Sequence, residues 1–270
     1  MIPSIVKRAT LATLPDAFVL HPDPAEVQAR LERFLQRVAD GKASPDQFVI
    51  LRSERGVEGV ATLAPQSFIP LLIQTRSDTA SSARQQFFAA LLELAPERTL
   101  LLDSGHTPPD AAPALAAGWT LDDEQVVYET DLSARRWTLA PNALEGGAEL
   151  LERPDIRALA AELGQADLEL GESWRLVALL DETGNPTALG AVGPSGRPDW
   201  ASIDLIGVRE AKRSQGSGTR LHAHLLARAA QEFGWHVGRT EAENHAMRRV
   251  FERNGSREKA RQLYFRPALP

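Results

Sequence analysis

The sequence predicts an α/β protein whose strands form mixed sheets in two similar units. Two observations carry this expectation. Apolar strand-like runs alternate with amphipathic helical stretches along the chain. In addition, the order of those elements in the first half returns in the second after about 135 residues. At 270 residues, the chain is long enough for two domains of ordinary size.

In the first half, residues 48–52 and 57–63 read as strands around the turn Ser53-Glu54-Arg55-Gly56, a hairpin signal. An apolar strand at 68–74 follows, then a helix at 81–94 and a strand at 99–102. A short helix at 111–116 stops before Gly118, and 126–128 is strand-like. The second half repeats this order. Strands at 176–180 and 188–192 flank a turn at 181–186, and an apolar strand leads from Ile203 to Val208. Next comes an amphipathic helix with Leu221, Leu225, Ala229 and Phe233 on one face. A strand at 235–240 precedes a helix that Asn244 caps and Gly255 ends, as Gly118 ends its counterpart. Residues 262–264 close the unit. The boundary falls near 132–142, giving units 1–135 and 136–270.

Composition excludes several classes. A net charge of −6 argues against general nucleic-acid binding, which relies on a basic face. The chain has no cysteine, which removes disulfides, thiolate metal sites and a cysteine nucleophile. No apolar run approaches the roughly 18 residues of a membrane helix. Residues 1–10 show no signal-peptide core. These features predict a cytoplasmic protein that binds neither nucleic acid nor membrane.

The most informative segment joins the strand at 203–208 to the helix beyond it. A helix N-terminus offers unpaired N–H groups and a partial positive charge, so it attracts anions. Gly216 and Gly218 let a bulky ligand approach the backbone, Ser217 and Thr219 offer hydroxyls, and Lys212 and Arg213 add charge at the rim. The predicted guest is a phosphate or pyrophosphate. A Walker loop requires Lys after its last glycine, where this chain has Thr219. The dinucleotide fingerprint requires glycine where Leu221 stands.

The remaining pattern, Val208-x4-Arg213-x2-Gly216-x-Gly218, resembles the acyl-CoA loop of the GNAT superfamily of N-acyltransferases. A second segment strengthens the resemblance. Family members typically carry Asn, then an apolar residue three positions on, an aromatic seven on and a glycine eleven on. Asn244, Met247, Phe251 and Gly255 match that series. With the repeat, the chain is similar in outline to mycothiol synthase: two tandem GNAT folds, the first degenerate. Where the second half has its glycine loop, the first has residues 75–82 without glycine, and Asp78 would repel a pyrophosphate.

The resemblance implies transfer of an acetyl or other acyl group from CoA to an amine by direct attack. Backbone groups of Ile206, Gly207 and Val208 would hold the pantetheine. Loop residues Arg213, Ser214, Gln215, Gly216, Ser217, Gly218 and Thr219 would hold the pyrophosphate, while Asn244 and Phe251 would flank the CoA arm. The Val208 N–H would bind the carbonyl oxygen. A base must take the amine proton, since an alkyl ammonium has no lone pair. Asp204 is the first candidate, with Glu241 and Glu243 as rivals. Many members place a tyrosine where Phe251 stands, to protonate the leaving thiolate. Phenylalanine has no proton to give, and Tyr264 is the tyrosine of this half. The alternative reading is therefore an acyl-CoA-binding or regulatory protein without turnover. The implied acceptor is a small-molecule or peptide amine, the co-substrate acetyl-CoA, and the assembly a monomer or homodimer.

Other groups carry less. Leu101-Leu102-Asp103-Ser104-Gly105 resembles an aspartic-protease loop but has no facing partner in the second half. His222 and His224 are two apart on a helix and point in different directions, so no metal site is expected. Glu162, Asp167, Glu169 and Glu172 read first as a solvated helix face, with attraction of a cationic amine over the cleft as the alternative.

Overall fold

The computed structural model describes residues 5–21 and 23–268. The first four residues of the N-terminal segment read above lie outside the described residues. The chain is a mixed α/β protein that divides into two compact units, Met1–Gln125 with Ala260–Pro270 and Val126–Lys259.

The first unit contains β1 (Ile5–Arg8), α1 (Pro24–Ala39), β2 (Phe48–Ser53), β3 (Gly56–Thr62), β4 (Leu71–Thr75), α2 (Ser81–Leu94), β5 (Leu100–Asp103) and α3 (Ala112–Ala116). It also holds the start of β6 (Trp119–Asp131). β4 begins at Leu71, later than the sequence pattern predicts, because Pro70 has no N–H for a ladder. Phe68, expected on that strand, is exposed in the preceding turn.

The second unit contains the end of β6, β7 (Ala143–Gly146), α4 (Pro154–Glu162), β8 (Arg175–Leu180), β9 (Pro186–Pro194), β10 (Trp200–Val208), α5 (Ser217–Ala229), β11 (Trp235–Glu241), α6 (His245–Arg253) and the start of β12 (Arg257–Pro267). Its strands follow the order β6-β11-β10-β9-β8-β7, and those of the first unit β12-β5-β4-β3-β2-β1. Each unit thus has the same arrangement, and the last strand of the chain returns to pair with β5 through Gln262↔Asp103 to Phe265↔Leu100.

Apolar side chains fix each helix on its sheet. In the first unit Phe87, Phe88 and Leu91 of α2 bury against Val49, Leu51, Leu100 and Phe265. In the second, Leu221, Leu225, Leu226 and Ala229 of α5 cover one sheet face. Full burial of each leucine stabilises by about 1.5–3 kcal/mol. Phe233 lies beyond the end of α5 and is only partly buried against the same cluster. α4 covers the opposite face with Ile156, Leu159 and Ala160. No helix among the described residues is long and apolar enough to cross a membrane.

Candidate active site: a cleft where two strands part

β10 and β11 run parallel but pair only at Trp200↔Trp235, Ala201↔His236 and Ser202↔Val237. A bulge then displaces Asp204, since Ile203 faces Val192 and the next pair is Leu205↔Ala191. Beyond it β10 stays with β9 as far as Val208↔Ala188, and its other edge opens into a cleft of about 730 Å³. The Arg209 N–H donates to Thr187 of β9. Strand alternation therefore turns the N–H groups of Val208 and Ile206 toward the cleft.

The rim is a helix start. Gly216 has φ 79° and Ser214 φ 61°, left-handed conformations that glycine adopts freely and serine rarely. Arg220 N–H is the first helical donor, bonded to the Gly216 carbonyl. The N–H groups of Ser217, Gly218 and Thr219 have no acceptor among the described residues and lie at the cleft. Arg213 Nε donates to the Val208 carbonyl at 3.1 Å, tying the loop to the strand. A Cβ on Gly218 would meet only Val208 and Val250, at 3.6 and 3.7 Å. The fold itself has room for a side chain there, so the glycine serves whatever enters the cleft.

α6 forms the other wall. Asn244 Oδ1 accepts from the Met247 N–H at 3.0 Å, leaving its Nδ2 available. Gly255, at φ 85°, ends the helix, and the Ser256 N–H returns to the Phe251 carbonyl at 3.0 Å. Phe251 is buried against Tyr128, with ring centroids 4.5 Å apart, and against His222 at 5.0 Å. Burial pushes the His222 imidazole down to about 3, and His236 beside it well below its ordinary value, so both are neutral. His222 Nδ1 meets Asn254 Nδ2, while His224 points elsewhere, toward the Ala140 N–H and Glu145.

Most residues singled out in the sequence converge here. Asp204, Ile206, Gly207, Val208, Arg213, Ser214, Gly216, Ser217, Gly218, Thr219, Asn244 and Phe251 all line the cleft. Gln215 does not; its side chain turns back to the Ala211 carbonyl. Glu241 and Glu243 are exposed and outside the lining. Tyr264 belongs to the first unit, where its hydroxyl donates to Gln262. The acidic series is not one helix face: α4 stops at Glu162, Gly164 follows at φ 77°, and Asp167, Glu169 and Glu172 lie in irregular chain. Leu163, Arg239, Thr240, Arg249 and Arg253 also line the cleft, outside the sequence motifs above. Arg249 and Arg253 were accessible to a helical-spacing argument, since i and i+4 share a face.

The corresponding gap in the first unit is closed by its own chain. β4 and β5 pair only at Leu71↔Leu100 and Leu72↔Leu101. Past that point Thr107 Oγ1 donates to the Ile73 carbonyl at 2.9 Å, and the Thr75 N–H donates to the His106 carbonyl at 3.2 Å. Asp78 stands on the loop that follows, held by Arg55 and Arg76; the Arg76 hydrogen bond foremost lowers its carboxyl below the usual range.

Parting parallel strands beside a glycine-lined helix start agree with the family comparison. The family of the acetyltransferase (GNAT) domain matches residues 107–257. This chain belongs to the GNAT acetyltransferase family. GNAT proteins move an acyl group from acyl-CoA, and the free edge, free amides and rim cations fit that ligand. Among solved structures, the chain is similar to a GCN5-related N-acetyltransferase from Sphaerobacter thermophilus, with 13% identity and TM-score 0.55 over 100% of this chain and 98% of the other. It is also similar to one from Kribbella flavida, with 14% identity and TM-score 0.54 over 79% and 88%. A tandem GNAT protein from the clavulanic acid biosynthesis pathway matches at 18% identity and TM-score 0.51 over 100% and 99%. At such identities these likenesses speak for the GNAT fold alone. No curated protein matches the chain. Among the described residues no group of three or more His, Cys, Asp or Glu is placed to hold a metal ion.

Proposed function

We propose that the second unit is an N-acyltransferase that moves the acetyl group of acetyl-CoA directly to an amine, and that the first unit is a degenerate GNAT copy. The observation that carries this is the opening of β10 from β11 after Ser202↔Val237, with free amides at its far end. The amides of Ser217, Gly218 and Thr219, with Lys212 and Arg213, hold the pyrophosphate. The free edge at Ile206, Gly207 and Val208 holds the pantetheine, and the Val208 N–H takes the charge that develops on the carbonyl oxygen. Asn244 contacts the arm through Nδ2, and Phe251 forms an apolar floor.

Asp204 is the base, directly or through a water. Of the three candidate carboxylates it is the one that lines the cleft. The Ser202 hydroxyl bonds to it and fixes its direction. No tyrosine lines the cleft among the described residues, so the thiolate leaves without one. The acceptor is a small-molecule or peptide amine, met in the cytoplasm by a monomer or homodimer. Because the first unit fills its own gap with Thr107, it binds no acyl-CoA.

A second reading, binding without turnover, is favoured by Phe251 alone. A thiol-release assay separates the two. The chain contains no cysteine, so a thiol reagent registers only the CoA set free. Amine-dependent thiol release supports the enzyme. Tight acetyl-CoA binding with no release over a broad amine panel would favour the second reading.

A further inference from the structure

The cleft also indicates which amine it takes, an inference that rests on the acyl-transfer reading above. Ser202 is paired with Gly193, whose Cβ direction runs into Trp174, a residue of the cluster under α4. Asp204 is the extra residue of the bulge, and its hydrogen bond to the Ser202 hydroxyl draws its side chain to that face. Val237 pairs with Ser202, which places Arg239 on the same face of β11. The alternation checks independently: a Cβ on Gly238 would run into Phe251, on the opposite face. Asp204 and Arg239 therefore flank the strand gap from its two sides, at one level and facing the α4 side.

Their charges are unspent. The Arg239 guanidinium makes no ion pair or hydrogen bond with any described residue, and the Asp204 carboxylate meets only the Ser202 hydroxyl. The neighbouring cleft acid, Glu162, is neutralised by Arg209 at 3.1 Å. The phosphate end does not use Arg239. It begins beyond Val208, about 13 Å further along the strand at 3.3 Å per residue. Arg249 and Arg253, the other free cleft arginines, project from α6 on the opposite face.

We propose that the acceptor is a zwitterion, an amino acid or close relative, whose carboxylate Arg239 holds while its amino group faces Asp204. A guanidinium matches a carboxylate with two parallel N–H donors, so the pairing fixes the angle at which the nitrogen meets the thioester. The amino group arrives as ammonium, gives one proton to Asp204 or its water, forms the new C–N bond as the C–S bond to CoA breaks, and loses its second proton through solvent, which protonates the departing thiolate. A polyamine would set a second positive charge toward Arg239, and a simple monoamine would leave its guanidinium without a partner on the acceptor.

The test uses the full-length protein saturated with CoA, titrated calorimetrically with free amino acids, each beside its carboxamide, in the wild type, Arg239→Gln and Arg239→Lys. Turnover with acetyl-CoA is measured for the same pairs. At least one amino acid should bind and react about 10- to 100-fold better than its amide, the scale of a charged hydrogen-bonded pair. Arg239→Gln should erase that difference by raising KM with kcat little changed, Arg239→Lys should restore part of it, and acetyl-CoA affinity should stay constant in both. Amides equal to or better than acids, or no binding by either, overturns the proposal. So does a weaker affinity for acetyl-CoA in Arg239→Gln, which would make Arg239 a contact of the CoA. If the wild type binds no acetyl-CoA at all, it is the acyl-transfer reading that fails instead.

Discussion

Tyr128 and Phe251 stack with their ring planes 5° from parallel, both buried, and the one hydroxyl of the pair belongs to Tyr128. Tyr128 Oη accepts from Arg248 Nε at 3.3 Å, away from the cleft lining. The apolar ring is the one the cleft sees. With no acid there, the pH–rate profile of kcat/KM should show one limb. It should rise as the acceptor amine loses its proton and show no fall through the range where a tyrosine titrates, near pH 10. A descending limb at high pH, removed by mutating a tyrosine, would contradict this.

Asp204→Asn removes the proposed base and leaves the loop untouched. It should lower kcat/KM about 100-fold or more at neutral pH, since positioned bases contribute about 10²–10⁴. The acetyl-CoA dissociation constant should not change. Equal activity in the variant would return the role to water or to another group.

The buried histidines make stability fall with acidity. Their folded pKa values are depressed, so below about pH 6.5 the unfolded chain binds protons that the folded chain refuses. Each histidine then costs about 1.4 kcal/mol per pH unit until its folded value is reached, near 3 for His222. Their contribution is complete above pH 6.5 and is lost on acidification. His236→Leu leaves Thr130 bonded to Ser256 at 2.8 Å. Chemical denaturation at pH 7 and pH 5 should show a mean slope shallower by about 1 kcal/mol per unit in that variant. An unchanged slope would place the titration elsewhere.

Gly207 permits close packing of α4 on β10. A Cβ there would come within 2.5 Å of Leu163 Cδ1. Gly207→Ala should destabilise by about 1–3 kcal/mol, as overpacking does. Urea unfolding reads the change directly, and no loss would mean that Leu163 gives way freely.

The legible parts of the sequence were those set by local chemistry. Gly216 and Gly218 at a helix start, Asn244 as a cap and Gly255 as a stop each answer a requirement within a few residues. Asp204 could be chosen because it lies on the strand leading to the loop. What stayed hidden depends on pairing between distant segments. The bulge at Asp204 and the parting at Ser202 exist only in the register of β10 with its two neighbours. Arg239 alternates with His236 and Gly238 along β11, and the sequence does not say which face meets the cleft. The return of residues 260–267 to β5 is likewise non-local, and a linear repeat had assigned them to the second unit. Helix α1 left little signal because none of its residues is fully buried; Leu31 and Phe34 only edge onto the cluster around Phe48.

The most direct measurement is calorimetric titration of the full chain with acetyl-CoA, beside Gly218→Asp. That variant keeps a side chain the fold can seat but sets a carboxylate among the pyrophosphate amides. The account predicts micromolar binding at one site per chain in the wild type, the first unit being closed by Thr107, and loss of binding in the variant. No binding by the folded, CoA-free wild type, two sites per chain, or undiminished binding in Gly218→Asp would contradict it.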